Sequence, residues 1–202
     1  MNSKPLLMDA DGVLLNWNRG FNSWMKQRGF VQACSNDYSL SKCYDMSREE
    51  IGKLVHEYNC SAAVSYLFPM PGAVFVVNKL REIGYEPHCI TAFGGDMYSQ
   101  LQRQKLLWDY FRIRSENVHI LPLDATKRDI LSRWKDSGAP WIEDKVENCL
   151  DGISLGLKGI LIRADHTRDY ISDKVFVADT WYQILEHITG EEKCPMSGSL
   201  SI

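Results

Sequence analysis

The sequence lacks the features that mark metal-thiolate, membrane and nucleic-acid-binding proteins. Its six cysteines form no C-x-x-C pair and no Cys/His spacing of the kind that a zinc site needs, so we expect reduced thiols. Asp9 interrupts the first apolar run after residues 6–8, far short of a signal-peptide core or a membrane span. The net charge of −3 gives no general attraction to a nucleic acid polymer or to an anionic membrane. We therefore expect a cytoplasmic protein that binds a small ligand locally.

The sequence also lacks internal repeats, and low complexity is confined to one end. Its 202 residues correspond to one domain with room for an insertion, at roughly 150 residues per domain. A hydrophobic content of 45% with 24% charged residues excludes the disordered and fibrous classes. Residues 190–202 contain mostly Gly, Ser, Pro and charged residues, which predicts a flexible tail.

Short apolar runs alternate with longer amphipathic segments over most of the chain, a pattern typical of a parallel sheet with helical crossovers. Five apolar runs that end in polar residues predict strands at 6–8, 88–91, 118–121, 141–142 and 159–162. Helical spacing and capping residues predict helices at 73–83, 97–111, 126–134 and 148–155. The fold class is therefore α/β, with a Rossmann-like three-layer core around a parallel sheet.

Residues 21–68 interrupt this alternation, because they separate the first two predicted strands by more than one crossover helix requires. A helix is predicted at 22–28, ended by Gly29, and Ser47 with Glu50 forms a capping box for a second helix that runs through Tyr58. We expect residues 21–68 to form a small helical cap inserted into a core of residues 1–20 and 69–189.

The sharpest local motif is Asp9-Ala10-Asp11-Gly12-Val13, which directly follows the first predicted strand. In an open α/β sheet, ligands bind at the carboxyl ends of the strands, near the point where the strand order reverses. Two acids at this position are therefore candidates for catalysis or metal binding. An isolated motif of this kind is equally compatible with two acids that only cap the turn after the strand.

Together with three later segments, this motif resembles the haloacid dehalogenase-like (HAD) phosphatase superfamily. The first motif of that family is an apolar strand followed by D-x-D-G-V/T, as at residues 9–13. The second is a strand that ends in Ser or Thr, matched by Thr91, and the third is a Lys at the start of a later helix, matched by Lys127. The fourth is an acidic pair after a strand, matched by Glu143-Asp144. The order agrees, and the resemblance spans residues 6–162.

The resemblance implies a phosphatase that forms an aspartyl phosphate and requires Mg²⁺. Asp9 would be the nucleophile that attacks phosphorus. Asp11 would protonate the leaving oxygen and then take a proton from the attacking water. Asp9, the backbone carbonyl of Asp11, and Asp144 would hold the Mg²⁺ ion, a cation that prefers carboxylate, water and phosphate oxygens.

The resemblance also implies groups that bind the phosphoryl oxygens: the Thr91 hydroxyl, the backbone amide of Ala92 and the Lys127 ammonium. Without the flanking motifs, such a Thr would more often bond to a local turn and such a Lys would be solvated. Lys105 and Lys145 are the alternatives to Lys127.

The fourth motif departs from the commonest family pattern, since Glu143 stands where many members have Gly and Asn148 where many have a second Asp. We interpret Glu143 and Asn148 as groups that hold metal-bound waters or orient Asp144 and Lys127. The scattered His88, His119 and His166 are assigned no role.

The order of the motifs separates this chain from a receiver domain, which has a different layout of acids, Thr and Lys and no cap. A silent family member that binds a phosphorylated ligand or a partner remains the alternative to an enzyme. An inserted cap implies a small phosphorylated metabolite as substrate. The segment 68–73 and the Ile-acid-Asp motif are similar to the 5'-deoxyribonucleotidase branch, which implies (deoxy)nucleoside 5'-monophosphates. Phe21, Trp24, Tyr66 and Phe68 would then stack a nucleobase or pack the cap's own core.

Overall fold

The computed structural model describes residues 3–33 and 39–190, so almost all of the predicted tail at 190–202 lies outside the described residues. The described part contains one sheet of six parallel strands in the order β3-β2-β1-β4-β5-β6. The strands are β1 (Lys4–Met8), β2 (Tyr85–Ala92), β3 (Val118–Leu121), β4 (Pro140–Glu143), β5 (Lys158–Ile162) and β6 (Phe176–Ala178). The predicted α/β class is confirmed.

Helices connect these strands and also fill the long segment between β1 and β2. The α-helices are α1 (Trp17–Gln27), α2 (Leu40–Cys43), α3 (Arg48–Asn59), α4 (Ala73–Glu82), α5 (Met97–Phe111), α6 (Arg128–Leu131), α7 (Val146–Ser154) and α8 (Trp181–Thr189). Short 3₁₀ helices lie at Ala62–Tyr66, Ser115–Asn117, Ser132–Trp134 and Asp165–Thr167.

Alternating side chains of β1 pack into separate hydrophobic clusters, as expected for a strand that is covered on both faces. Leu6 and Met8 belong to the larger cluster, which contains residues of α4, α5 and α8. Leu7 belongs to a second cluster with Leu131 of α6 and Trp141 of β4. The helices on the two faces of the sheet therefore both pack against β1, the strand that leads into the Asp9 motif.

The first helix of the predicted cap begins at Trp17 instead of residue 22, because the Asn16 side chain accepts a hydrogen bond from the Arg19 amide and starts the helix earlier. The Ser47–Glu50 capping box of α3 is confirmed. Together, α1, α2, α3 and the 3₁₀ helix Ala62–Tyr66 occupy most of the segment between β1 and α4.

Two other local predictions need correction. Thr126 does not pair with Asp129: its hydroxyl accepts from the Arg128 amide, and the predicted helix is divided into α6 and the 3₁₀ helix Ser132–Trp134. The sixth strand was not predicted from the sequence, because β6 has only three residues and one of them is fully buried. Helix α8, which follows it, was also missed.

Strand order brings the four sequence motifs to one edge of the sheet. β1 lies between β2 and β4, with Met8 in register with Cys89 on one side and with Ile142 on the other. Asp9, Thr91 and Asp144 therefore come together at the carboxyl ends of three adjacent strands, at the point where the strand order reverses.

No helix among the described residues is long and apolar enough to cross a membrane. The cysteines in the same part of the chain, Cys43, Cys60, Cys89 and Cys149, are free thiols.

Candidate active site

A cavity of about 650 Å³ opens over the carboxyl ends of β1, β2 and β4. Its floor comes from the sheet edge and its opposite wall from α1, α2 and α3. The predicted site residues that line it are Asp9, Asp11, Thr91, Lys127, Glu143, Asp144 and Asn148, together with the backbone of Ala92. The structure thus brings together the residues of all four motifs, although they come from distant parts of the chain.

Lys127 lies between two of these carboxylates. Its ammonium contacts Asp9 Oδ2 and Glu143 Oε2, both at 2.8 Å, and its side chain is buried. Lys105, one of the alternatives named from the sequence, instead pairs with Asp109 on an exposed face of α5. Lys145 lines the cavity, but Lys127 is the lysine in contact with Asp9.

Hydrogen bonds use both oxygens of Glu143. Oε2 accepts hydrogen bonds from the Lys127 ammonium at 2.8 Å and from the Asn148 side-chain amide at 3.2 Å. Oε1 accepts hydrogen bonds from the backbone amides of Asp144 and Lys145, each at 3.2 Å. Four donors occupy the lone pairs of a carboxylate that is fully buried. Glu143 therefore orients Lys127 and the start of the Asp144 loop, and little of its oxygen capacity is left for another ligand.

Asp9, Glu143 and Asp144 form a buried acidic cluster whose ligand oxygens lie within 4.8 Å of one another. The three carboxylates share one ammonium, that of Lys127, so the cluster has more negative than positive groups. Carboxylate oxygens at this spacing suit a hard divalent cation such as Mg²⁺. Because Glu143 is saturated with donors, Asp9 and Asp144 are the side chains best able to bind it.

The carboxyl pKa values reflect this crowding. Burial raises the pKa of Asp9 to about 7 against the opposing charge of Lys127. Burial, followed by the charge of Asp9, raises the pKa of Asp144 to about 7, and burial also raises the pKa of Glu143. Burial alone would lower the pKa of Lys127, but the charges of Asp9 and Glu143 raise it above its usual range, so the ammonium is retained.

Thr91 supplies an unused donor at the floor of the cavity. Its hydroxyl is buried and has no hydrogen-bond partner in the part of the chain that the structure describes. Leaving a buried hydroxyl unpaired costs about 1–3 kcal/mol, so its position is explained best by a ligand oxygen that it would bind.

Asp11 also lines the cavity, but its carboxylate is outside the acidic cluster. Oδ1 accepts a hydrogen bond of 2.7 Å from Arg103 of α5. Arg103 belongs to none of the four sequence motifs, since it lies in the middle of a helix, 92 residues from Asp11 in sequence.

Other residues of the site also carried no motif signal. His166 lines the cavity and donates from Nε2 to the backbone carbonyl of Asp144 at 3.0 Å, so it supports the acidic cluster. Trp17 and several polar side chains of the helical wall face the same cavity: Asn18, Asn22, Arg48 and Asn59. The sequence of an amphipathic helix does not indicate which of its residues will line a cavity, because this depends on how the helices pack.

The four aromatic residues considered for stacking on a nucleobase, Phe21, Trp24, Tyr66 and Phe68, are not among the residues that line the cavity. Phe21 is fully buried, with its ring stacked on Trp17 at 4.8 Å between centroids, so of the two alternatives it agrees with packing inside the helical segment. Tyr66 and Phe68 are 77% and 67% exposed, outside the residues that line the cavity. Phe21 belongs to the packed aromatic core of the helical segment, together with Trp24 and Tyr58.

No known family model matches the sequence. An uncharacterized 32.4 kDa protein of Enterobacteria phage T4 is 28% identical over 156 residues, which cover 72% of this chain. The match covers 56% of the phage protein, so the chain spans little more than half the length of this curated relative.

Solved structures with the same fold include HAD-like hydrolases and phosphatases. A haloacid dehalogenase-like hydrolase from Streptococcus pneumoniae aligns with a TM-score of 0.61 at 14% identity, over 92% of this chain and 98% of its own. A predicted phosphatase from Clostridium acetobutylicum gives 0.60 at 15% identity, over 93% and 99%. D,D-heptose 1,7-bisphosphate phosphatase from B. bronchiseptica, complexed with magnesium and phosphate, gives 0.57 at 11% identity, over 94% and 99%. This chain has the HAD-like fold.

Proposed function

We propose that the protein is a Mg²⁺-dependent phosphomonoester hydrolase that acts through an aspartyl phosphate on Asp9. The observation that carries this proposal is the placement of Asp9 in the cavity, in contact with the Lys127 ammonium and beside the unpaired Thr91 hydroxyl. A nucleophile, a buried cation and a free donor thus surround one space at the carboxyl end of β1. The HAD-like fold, shared with several phosphatases, supports the same activity.

In the first step, an Asp9 carboxylate oxygen attacks phosphorus, and the bond between phosphorus and the leaving oxygen breaks. Asp11 gives its proton to that oxygen, so an alcohol departs. Thr91 donates to one phosphoryl oxygen, and Lys127 neutralises charge as the group transfers. The product of this step is an acyl phosphate on Asp9.

In the second step, Asp11, now deprotonated, takes a proton from a water molecule that attacks the same phosphorus. The bond between phosphorus and Asp9 breaks, inorganic phosphate is released, and the Asp9 carboxylate is restored. Asp11 ends the cycle protonated, ready for the next leaving group. The two steps therefore need Asp11 in opposite protonation states but in one position.

Asp9, Asp144 and the backbone carbonyl of Asp11 would hold the Mg²⁺ ion. When bound, the ion supplies positive charge that offsets the repulsion between these carboxylates and a phosphate dianion.

The helical wall favours a small substrate with several oxygen or nitrogen acceptors. Tyr44 donates to Asn22 Oδ1 at 2.7 Å, and Trp17 donates to Asn59 Oδ1 at 2.9 Å. Because both amide oxygens are engaged, the amide nitrogens remain as donors for a ligand in the cavity. A nucleoside 5'-monophosphate has such acceptors on its base and sugar, and so does a sugar phosphate. We propose the (deoxy)nucleoside 5'-monophosphates as the first class to test.

The test is a panel of nucleoside 5'-monophosphates, sugar phosphates and aryl phosphates, assayed for phosphate release with Mg²⁺ and with excess chelator. Turnover that requires Mg²⁺ is expected, with Ca²⁺ inhibiting because its coordination is larger and looser. Full activity in chelator would contradict the metal site. Binding of these compounds without any turnover would favour a silent family member instead.

A further inference from the structure

Two buried cations pair with three of the carboxylates that line the cavity. Lys127 pairs with Asp9 and Glu143, whereas Arg103 pairs with Asp11. The Asp11 carboxylate is therefore directed toward α5, and it is absent from the acidic cluster of Asp9, Glu143 and Asp144. An unpaired Asp11 carboxylate would be free to approach the same cation as its neighbours.

The environment of Arg103 fixes the position of its guanidinium. The side chain is 2% exposed, and its guanidinium carbon lies 3.9 Å from the centroid of the Phe93 ring. Phe93 is itself buried and follows Thr91 and Ala92, the residues at the end of β2. Arg103 is thus held between the loop that follows the phosphate-binding residues and the side chain of Asp11.

Arg103 is not part of a saturated structural network. Among the described residues, its Nη2 has no hydrogen-bond partner, and neither has the Tyr58 hydroxyl, whose pKa is raised by burial and by the charge of Asp11 and lowered by Arg103. A buried guanidinium that leaves donors unused contributes little to stability, since desolvation offsets the gain from its ion pair. Its clearest contact is the one with Asp11, whose side chain is 27% exposed to the cavity.

We propose that Arg103 is a positioning residue for Asp11: it holds this carboxylate apart from the metal-binding acids, where it can reach the leaving oxygen. This inference rests on the proposed phosphatase activity. It extends that proposal to a residue of α5 that is not among the residues lining the cavity.

The experiment compares two aromatic esters that differ in their need for a general acid. Benzyl phosphate has a poor leaving group, which requires protonation, whereas p-nitrophenyl phosphate has a good one. With Mg²⁺ present, Arg103→Gln should lower kcat/KM for benzyl phosphate roughly a hundredfold, the size of a general-acid contribution. The same variant should lower kcat/KM for p-nitrophenyl phosphate less than about fivefold. Arg103→Lys, which keeps the positive charge, should restore part of the loss on benzyl phosphate.

Equal losses on both esters would overturn the positioning role, and so would unchanged activity on benzyl phosphate. If Arg103→Gln fails to fold, judged by circular dichroism and melting temperature, Phe93→Leu gives the same comparison through a displaced guanidinium, because the Phe93 ring lies against it. Failure of the proposed function would look different, because wild-type protein would then hydrolyse neither ester.

Discussion

At the scale of single residues, the proposed phosphoryl transfer depends most on Asp9, the carboxylate that contacts Lys127 at the floor of the cavity. Asp9→Asn is nearly isosteric and removes the nucleophile, so turnover should fall roughly a thousandfold or more. The fold should be retained, since Lys127 keeps its contact with Glu143. Phosphate release and melting temperature measure the two effects. Asp173→Asn, at an exposed position, is the matched control and should leave activity unchanged.

A second residue-scale prediction concerns Gly12, which has a φ of +79° and lies against Asp144. A Cβ built at this position would overlap the Asp144 carboxylate. Gly12→Ala should therefore displace Asp144 and lower kcat/KM more than about tenfold, in addition to a backbone strain of about 1–2 kcal/mol. Gly29→Ala isolates the strain, because Gly29 has a φ of +84° and open space around it. If both variants lost the same activity, contact with Asp144 would not be the cause.

At the scale of secondary structure elements, the helical wall separates residues that face the cavity from residues that pack inside it. Trp17 lines the cavity, whereas Tyr66 lies outside it on an exposed surface. Trp17→Leu should therefore change kcat/KM differently for a nucleotide and for p-nitrophenyl phosphate, because contacts specific to one substrate discriminate between substrates. Tyr66→Ala should leave both values within about twofold. The reverse pattern would contradict the placement of these helices.

The strand pair β2–β3 carries two histidines whose titration affects stability. The rings of His88 and His119 stack with centroids 6.3 Å apart, and both contact Trp134. Burial lowers the pKa of both histidines below the usual 6.5. For His88, Glu86 opposes this shift, whereas His119 and Arg114 add to it; for His119, Arg133 lowers the pKa further. The folded protein therefore binds protons at these histidines less readily than the unfolded chain does.

The contribution of these two histidines to the free energy of unfolding should consequently fall as the pH drops below about 6.5, through the range in which the unfolded histidines are already protonated. Asp9 and Asp144 act in the opposite direction, because their pKa values are raised in the folded state. Comparing wild type with His119→Phe by urea unfolding, at about pH 7.5 and pH 5.5, cancels those contributions. The variant should lose less stability on acidification, and an identical loss would refute this role for the pair.

How far the sequence predicts these elements depends on their length and local pattern. β3 and α5 have the bounds predicted, because a short, mostly apolar run and a long segment with helical spacing are clear local signals. β6 was missed because three residues give no periodicity. The four motifs could be recognised because each is a short continuous segment. The contacts of Arg103 and His166 with the site could not be predicted in this way. Their contacts depend on how α5 and the loop after β5 pack, which no local pattern encodes.

At the scale of the whole molecule, strand order is the feature that assembles the site. β1 lies between β2 and β4, so the carboxylates of Asp9 and Asp144 are forced together although they are far apart in sequence. The cost of this crowding should be relieved when a cation binds, because a ligand that binds only the folded state stabilises it. Binding of a cation at the proposed metal site should therefore stabilise the fold.

Millimolar Mg²⁺ should raise the melting temperature by roughly 5 °C relative to protein in excess chelator. Asp144→Asn should abolish most of this shift, since it removes a metal-binding carboxylate and part of the repulsion in the cluster. Asp173→Asn is again the control, and its shift should match that of wild type. A melting temperature that is independent of Mg²⁺ in wild type would argue against the cation site without any measurement of activity.

If Asp9 carries the phosphoryl group during turnover, acid quenching should trap that group on the protein. Protein mixed with Mg²⁺ and the best substrate of the panel is quenched within one turnover, digested and analysed by mass spectrometry, using Asp11→Asn to slow hydrolysis of the intermediate. We expect a phosphoryl adduct on the peptide that contains Asp9, and we expect no such adduct in the Asp9→Asn variant. Substrate turnover with no adduct on Asp9, or with an adduct on another residue, would contradict this role of Asp9.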